Sequence, residues 1–203
     1  AGFRNISGDI MLALPGYTDR EFDETLGLLA EAGAAHISAY LLKIESGTPF
    51  YKNPPDDLPT ADEAAAFYLH AVEVLAAAGY AQYEISNFSR PGHEGRHNLI
   101  YWDSRDYLGL GPSSHSCLEG RRFSFAASAA AFIAGTLTSQ EEGSADADDY
   151  IMLRLRLAAG LDEQALARRY GVPLTARQKV QLQTFAQHGL ALQKGSCWAL
   201  TPQ

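Results

Sequence analysis

The chain is 203 residues long, with 46% hydrophobic and 20% charged residues and a formal net charge of −8 at pH 7. This composition is typical of a globular protein and excludes intrinsic disorder as its main state. No apolar run reaches the about 18–20 residues that a membrane-spanning helix needs. An acidic chain is also a poor partner for a phosphate backbone, because Lys and Arg supply most of the affinity for nucleic acids. We therefore expect a globular protein that does not bind nucleic acid.

The two cysteines, Cys117 and Cys197, lie far apart in the sequence. Their spacing gives neither a disulfide framework nor a metal-ligand pattern, so it favours a reducing, cytoplasmic location. The sequence begins at Ala1 without an initiator methionine and without the basic and apolar regions of a signal peptide. We expect it to be a piece of a longer protein.

The first half of the chain alternates between predicted strands and helices. Strands are predicted at residues 6–12, 37–42 and 80–86, with a helix in each interval. A capping box begins each helix, at residues 18–21 and 60–63, because a Thr hydroxyl and a Glu carboxylate each satisfy a free backbone amide. This alternation predicts a parallel sheet whose binding sites form at the carboxyl ends of the strands. The loops at those ends are residues 13–18, 43–59 and 87–106.

The second half of the chain has a different pattern. A further strand is predicted at residues 121–127, and residues 136–149 are predicted to be a linker or an exposed connection. Helices predicted at residues 150–157, 162–170 and 176–188, followed by a strand at 198–201, resemble a winged-helix module. We expect an α/β protein with two domains, residues 1–127 and 128–203.

The densest group of chemically active side chains lies at residues 91–102. His93 and His97 have the i, i+4 spacing that suits zinc on a helix. One proline and two glycines at residues 91–95 predict a loop instead, and no third ligand is close in sequence, so zinc is the weaker hypothesis. A lone histidine in a loop is more often a hydrogen-bonding residue than a metal ligand.

A haem site is a second interpretation of these residues. Haem needs an axial imidazole, flat aromatic or apolar walls and cationic groups for its propionates. The stretch offers His97 as the imidazole and Tyr101 with Trp102 as the walls. The candidate cations are Arg90, Arg96 and Arg105. Composition permits this site and does not prove it.

Several separate elements, in one order, resemble a known family. They are Asp-Ile-Met-Leu-Ala-Leu-Pro-Gly at residues 9–16, Ile-Ser-Ala-Tyr at 37–40, Glu-Ser-Gly-Thr-Pro-Phe-Tyr at 45–51, Tyr-Glu-Ile-Ser-Asn-Phe at 83–88, His-Asn-x-x-Tyr-Trp at 97–102 and Gly-Leu-Gly-Pro-Ser-Ser-His-Ser at 109–116. From Asp9 onwards the sequence resembles the haem-chaperone (HemW) branch of the oxygen-independent coproporphyrinogen III oxidase-like radical S-adenosylmethionine (SAM) family. The His-Asn-x-x-Tyr-Trp element is typical of the chaperone branch and is lacking in the oxidases proper.

This resemblance implies a fold and a haem site. Residues 1–127 are then the C-terminal part of a partial (β/α) radical-SAM barrel, and residues 128–203 are the family's winged-helix-like C-terminal domain. His97 matches the family histidine that binds haem iron. The implied haem site has four residues: His97, Asn98, Tyr101 and Trp102.

The resemblance also concerns SAM and an iron–sulfur cluster. Asp9 matches the carboxylate that hydrogen-bonds the ribose of SAM, and Lys43 follows the strand whose loop lies against the adenine. The family holds its 4Fe–4S cluster with a Cys-x-x-x-Cys-x-x-Cys motif that is lacking in this sequence, and Cys117 and Cys197 cannot replace it. We therefore expect haem on this chain, and SAM with the cluster only in a longer parent protein.

The implied function is a haem-binding chaperone that delivers haem to client apo-proteins, with a membrane-associated respiratory protein as one candidate client and a homodimer left open. The alternative is the oxidase activity, radical decarboxylation of porphyrinogen propionates, so enzymatic activity also stays open. Nucleic-acid binding by the winged-helix-like part is a third, weaker hypothesis. His93 and His115 remain rival haem ligands, whereas His36 and His70 are expected to be structural.

Overall fold

The computed structural model describes residues 2–3 and 5–202, which form two compact units. The first unit comprises the described residues up to Gly95, together with Pro202, and the second is Arg96–Thr201. Elements of the first unit are β1 (Ser7–Leu12), α1 (Asp19–Glu31), β2 (His36–Leu41), α2 (Pro49–Lys52), α3 (Ala61–Ala77), β3 (Ala81–Glu84) and β4 (Asn87–Ser89). Those of the second are α4 (Arg96–Trp102), β5 (His115–Leu118), β6 (Arg121–Phe125), α5 (Ala129–Ile133), β7 (Ser139–Ser144), α6 (Ala147–Leu155), β8 (Leu161–Asp162), α7 (Glu163–Tyr170), α8 (Ala176–Gln187), β9 (Ala191–Lys194) and β10 (Cys197–Leu200).

The predicted domain boundary after residue 127 falls inside the second unit, and as a boundary between family domains it stays a prediction. Its outer ends, residues 1 and 203, lie outside the described residues. Within the described part of the chain, no helix has the length and apolar character that crossing a membrane requires.

The sheet of the first unit has the strand order β1-β2-β4-β3. β1 and β2 are parallel, as predicted, but β4 runs antiparallel to β2 and forms a hairpin with β3. The expectation of a wholly parallel sheet was therefore wrong, because the unpredicted β4 lies antiparallel between β2 and β3, whereas β3 runs in the same direction as β1 and β2. The cause is a turn within the predicted strand at residues 80–86, where the Glu84 carboxylate accepts hydrogen bonds from the Ser86 amide and the Asn87 side chain.

One face of this sheet carries the core of the first unit. Side chains along β1 alternate between exposed and buried, which directs Ile10 and Leu12 towards the helices. Phe22 and Leu26 of α1 and Leu75 of α3 pack on the same core. The opposite face carries the polar residues of the strands: Ser7, Asp9, His36, Ser38 and Asn87.

The capping boxes predicted at the starts of the two long helices of this unit are both present. Thr18 and Thr60 each accept a hydrogen bond from the amide three residues later, and Glu21 and Glu63 reach back to the cap amides. Each box satisfies amides that the first turn of a helix leaves free. The short helix α2 was not predicted and lies in the proline-rich loop.

The second unit begins with α4 and then forms a three-stranded antiparallel sheet with the order β5-β6-β7. The predicted linker at residues 136–149 was wrong, because it contains β7 and the start of α6. β7 is an edge strand paired with β6 alone, and all six of its residues are exposed. A strand with no buried face lacks the alternating hydrophobic pattern from which strands are predicted.

The three predicted helices near the C-terminus are present as α6, α7 and α8, and the predicted last strand is β10. β10 pairs with both β8 and β9 in a small antiparallel sheet. The core beneath these elements comprises Tyr150, Leu161, Leu166, Leu174, Leu182 and Trp198. This arrangement agrees with the winged-helix-like order expected from the sequence.

Candidate functional site

The predicted haem residues lie on α4, a seven-residue helix, and not in a loop as the sequence suggested. The proline and glycines behind that prediction all precede Arg96, so they shape the turn before the helix and leave the helix itself free of breakers. The amide of Gly95, the last residue of this turn, donates to the Tyr83 hydroxyl at 3.2 Å. The helix ends before Ser104, which has a positive φ of 52°. Residues 97–102 therefore all lie on the short helix α4.

His97 and Tyr101 are four residues apart, so they lie on the same face of α4. The Tyr101 hydroxyl is hydrogen-bonded to Nε2 of His97, and the ring centroids are 4.7 Å apart at an interplanar angle of 77°. Tyr107 extends this contact, because its ring meets the Tyr101 ring edge-on at 4.5 Å. We call His97, Tyr101 and Tyr107 the aromatic row. His97 is exposed, whereas both tyrosines are half-buried.

Trp102 faces a different set of partners. The Arg156 guanidinium lies over its ring, 4.5 Å from the centroid, which is within the range of a cation–π contact. The Trp102 indole N–H is buried and has no hydrogen-bond partner among the described residues. Asn98 is half-buried on the same helix. Of the predicted haem residues, His97 and Tyr101 therefore contact each other, and Trp102 packs against α6.

Two arginines fix the turn that follows α4. Arg154 binds the Asp103 carboxylate and also donates through Nε to the Gly160 carbonyl at 3.1 Å. Arg169 donates to the backbone carbonyls of Asp103 and Ser104. We call Arg154 and Arg169 the arginine brace. Because it joins α6 and α7 to the end of α4, it ties the helix that carries His97 to the C-terminal part of the second unit.

The other histidines divide by burial and by partners. His36 is only 8% exposed and is hydrogen-bonded at both ring nitrogens, so it is structural as expected. His70 is paired with Asp23 at 3.2 Å, which also agrees with a structural role. His93 is exposed in the turn before α4. Nδ1 of His115 is 3.0 Å from Glu142.

The predicted propionate-binding arginines belong to both units. Arg90 belongs to the first unit, where its guanidinium lies 5.0 Å from the Tyr80 ring centroid. Arg96 begins α4 and Arg105 follows it, and both side chains are exposed. A role of Arg90, Arg96 and Arg105 in propionate binding stays a prediction.

Sequence comparison places these features in a family. The model of the HemN C-terminal domain matches residues 147–203. The heme chaperone HemW of Bacillus subtilis is 30% identical over 217 residues, which span 100% of this chain and 56% of the relative. HemW of Synechocystis is 43% identical over 122 residues, which span 59% of this chain and 30% of the relative. HemW of Escherichia coli is 39% identical over 117 residues, or 56% of this chain and 30% of the relative.

Residues 147–203 thus match the HemN C-terminal domain, and the whole chain is similar to the heme chaperones HemW. It spans between 30% and 56% of the length of these three relatives. The solved structure of coproporphyrinogen III oxidase (HemN) from Escherichia coli, described as a radical SAM enzyme, matches 97% of this chain and 51% of its own length, with a TM-score of 0.74 at 18% identity. That likeness confirms the predicted fold class, part of a radical-SAM fold followed by the HemN C-terminal domain.

Within this HemN/HemW fold, Asp9 lies in the middle of β1 and not at its end. It is exposed on the polar face of the sheet, where the strand register places it beside Ser38, Ser38 beside Asn87, and Asn87 beside Glu84. Oδ1 of Asn87 is buried and has no hydrogen-bond partner among the described residues. The exposed carboxylate of Asp9 can accept from the hydroxyl donors of a ribose, so this residue fits that part of SAM, whereas Ser38, Asn87 and Glu84 are buried.

The other cofactor residues of the HemN/HemW family are less well matched. Lys43 is exposed and bound to Glu45 at 2.9 Å, and this contact raises the pKa of the lysine. Cys117 is buried and Cys197 is half-buried, and both are free. No three His, Cys, Asp or Glu side chains gather as a metal site within residues 2–3 and 5–202. These thiols do not fit a three-cysteine cluster.

Sequence reasoning missed three residues that shape the candidate site. Tyr107 lies outside the His-Asn-x-x-Tyr-Trp element, and its contact with Tyr101 depends on the turn at residues 103–106. Arg154 and Arg169 are remote from α4 in sequence, so no local pattern connects them with Asp103. An unusual concentration of arginines around the predicted helices α6 and α7 was the available signal.

Proposed function

We propose that this chain binds haem through His97 on α4 and belongs to a protein that passes haem to a client apo-protein. The observation that carries the proposal is the exposed imidazole of His97 at the open end of the aromatic row. Haem iron takes an axial imidazole, and its flat macrocycle packs well against aromatic side chains. A sealed His97 would have removed the basis for this proposal.

Exposure of His97 also suits transfer. A chaperone must release its cargo, so a single imidazole on an accessible helix is better suited than a ligand enclosed in a deep pocket. The brace holds α4 in place, which keeps the imidazole oriented without covering it. Relatives from several bacteria carry the name heme chaperone HemW, and this supports delivery to a client as the second half of the proposal.

Cofactors and partners follow from the same proposal. SAM and a 4Fe–4S cluster belong to the longer parent protein, with Asp9 on the SAM ribose and Lys43 near the adenine. The client is a haem protein, with a membrane-associated respiratory protein as one candidate, and the parent acts in the cytoplasm. A homodimer is the assembly to test first.

Hemin titration tests the haem-binding half. The full chain should develop a Soret band that saturates at one hemin per chain, and His97→Ala should weaken the affinity at least tenfold. His188→Ala, which removes an exposed histidine at the end of α8, is the matched control and should bind as the unchanged chain does. An unaltered Soret titration with His97→Ala would remove His97 from the haem site.

Transfer is tested separately. Hemin-loaded chain is mixed with an excess of an apo-haem protein, and the change from one Soret spectrum to the other is followed in time. Transfer that is faster than from bovine serum albumin, and that depends on His97, supports a chaperone. Haem that stays on the chain would contradict delivery while leaving binding intact.

The oxidase is the second candidate, favoured by the structural likeness to HemN. It would decarboxylate porphyrinogen propionates by radical chemistry, for which the residues present here supply no cluster ligands. An assay of the longer parent protein, with cluster and SAM, decides between the two. Efficient decarboxylation of coproporphyrinogen III would favour the oxidase over the chaperone.

A further inference from the structure

The nitrogen of His97 that haem iron needs already has a partner. Nδ1 of any histidine is next to the ring carbon that bears Cβ, so a porphyrin bound there would collide with the residue's own backbone. Nε2 points away from the main chain and is the accessible ligand. In this structure the Tyr101 hydroxyl is hydrogen-bonded to Nε2 of His97.

The position of Tyr101 does not depend on that hydrogen bond alone. Its ring is held edge-on by Tyr107 at 4.5 Å and an angle of 86°. Tyr107 is anchored in turn, because its amide and carbonyl are bonded to the backbone of Cys117 at 2.8 and 3.0 Å. The i, i+4 spacing on α4 brings His97 and Tyr101 together on the helix itself. Packing and helix geometry thus both keep the hydroxyl on the imidazole.

We propose that Tyr101 is a displaceable cap on the iron-binding nitrogen of His97; this inference rests on the haem binding proposed above. In the free chain the Tyr101 O–H donates to the Nε2 lone pair, and the imidazole proton is on Nδ1. When haem binds, the exposed imidazole rotates away from the Tyr101 oxygen, this hydrogen bond breaks, the same lone pair forms the bond to iron, and the hydroxyl is left to water. No proton or electron has to be exchanged with another group.

The cap has a consequence for transfer. Every binding event must break the Tyr101–His97 hydrogen bond, and every release event restores it. The cap therefore lowers haem affinity and favours release, which a carrier needs and a permanent haem protein does not. Because the cap is within four residues of the ligand, it acts without any movement of the arginine brace.

Tyr101→Phe tests this inference because it keeps the ring and removes only the hydroxyl. Hemin should bind the variant about two- to tenfold more tightly, since the free state loses one hydrogen bond of ordinary net strength. Transfer to an excess of apo-haem protein should slow by a similar factor. Tyr51→Phe, at an exposed tyrosine of α2, removes the same group elsewhere and should leave both unchanged.

Weaker or unchanged binding by Tyr101→Phe would overturn the cap. Weaker binding would mean that the Tyr101 hydroxyl itself contributes to haem binding, as a ligand of the iron. The double variant His97→Ala/Tyr101→Phe completes the comparison, because the gain from Tyr101→Phe should vanish when His97 is absent. A thermal melt of each variant confirms that the fold is kept.

These outcomes separate the cap from the proposed function. If His97→Ala binds hemin normally, haem binding at His97 fails and the cap fails with it. If His97→Ala loses binding but Tyr101→Phe does not gain affinity, only the cap fails. A gain that persists in the double variant would also contradict the cap, because the hydroxyl would then act on haem without His97.

Discussion

His36 in the first unit and His97 in the second present the same local pairing in opposite surroundings. Each has a tyrosine hydroxyl on Nε2, from Tyr83 and Tyr101 respectively. His36 is 8% exposed and its Nδ1 is also bonded to Ser7 at 2.8 Å, whereas His97 is exposed at the end of the aromatic row. Burial, and not the identity of the partner, therefore separates the structural His36 from the candidate ligand His97.

Electrostatics strengthen this contrast. Burial lowers the pKa of His36, and the nearby carboxylates of Asp9 and Glu84 only partly oppose that effect. The fold therefore favours a neutral His36 held between two hydroxyls. The buried His36 imidazole is hydrogen-bonded at both ring nitrogens, so neither nitrogen is available to iron. His97 needs to lose only one hydrogen bond to bind iron.

The largest expected effect concerns stability. His36→Ala should lower the free energy of unfolding by about 2–4 kcal/mol, because it removes two hydrogen bonds and leaves a cavity beside partly buried groups. His97→Ala should change it by no more than about 0.5 kcal/mol, as expected for a surface position. Urea denaturation followed by circular dichroism measures both. Equal losses for the two variants would break the contrast between the histidines.

A second prediction tests the brace against a neighbouring arginine. Arg169→Ala should lower the free energy of unfolding by about 1–3 kcal/mol, because the carbonyls of Asp103 and Ser104 lose charge-assisted hydrogen bonds. It should also weaken hemin binding, since α4 is then less firmly held. Arg168→Ala is the matched control: its exposed contact with Asp162, at 3.6 Å, contributes little.

Hemin affinity shows whether Arg169 positions α4 for haem binding or only stabilises the fold of the second unit. Arg169→Lys keeps the charge but cannot donate to two carbonyls in one plane, so it should recover only part of the affinity. If Arg169→Ala melts earlier yet binds hemin as the unchanged chain does at low temperature, the brace stabilises the unit without positioning α4.

How far the sequence foresaw these features depends on the range of the interactions. The capping boxes at Thr18 and Thr60 were predictable because cap and partner lie three residues apart. The core face of β1 followed from its alternating pattern. The reversal of the chain between β3 and β4 was not predictable, since it depends on hydrogen bonds from the Ser86 amide and the Asn87 side chain to the Glu84 carboxylate.

In the candidate site, too, the local features were predictable from the sequence and the long-range contacts were not. The family element at residues 97–102 identified His97, but its helical geometry was obscured by the breakers just before it. The Tyr107 contact requires the positive φ of Ser104 and the turn around it, which a sequence pattern does not encode. The brace joins residues that are more than fifty positions apart, such as Arg154 and Asp103, and only folding brings them together.

A smaller effect should be visible in the pH dependence of stability. Because the folded pKa of His36 lies below its unfolded value of about 6.5, the unfolded chain takes up the proton first as the pH falls. The stability from neutral His36 is thus complete above about pH 6.5 and is lost progressively below it. Melting temperatures measured between about pH 7.5 and pH 5.5 should fall less steeply for His36→Gln than for the unchanged chain. His97→Gln is the control, and an equal flattening by it would contradict the assignment.

The smallest expected effect concerns the rival ligands His93 and His115. His115 is the stronger rival, because its side chain is exposed and its Nδ1 contacts a carboxylate, as in many metal-binding histidines. Its neighbours across β6 and β7, however, are Ser124, Gln140 and Glu142, which offer no aromatic wall for a macrocycle. We therefore expect His115→Ala and His93→Ala to change hemin affinity by less than about twofold, against the tenfold or greater loss with His97→Ala. A larger loss with His115→Ala, accompanied by a Soret shift, would show that an imidazole outside the aromatic row ligates the iron, and the aromatic row would then not select the histidine that binds haem.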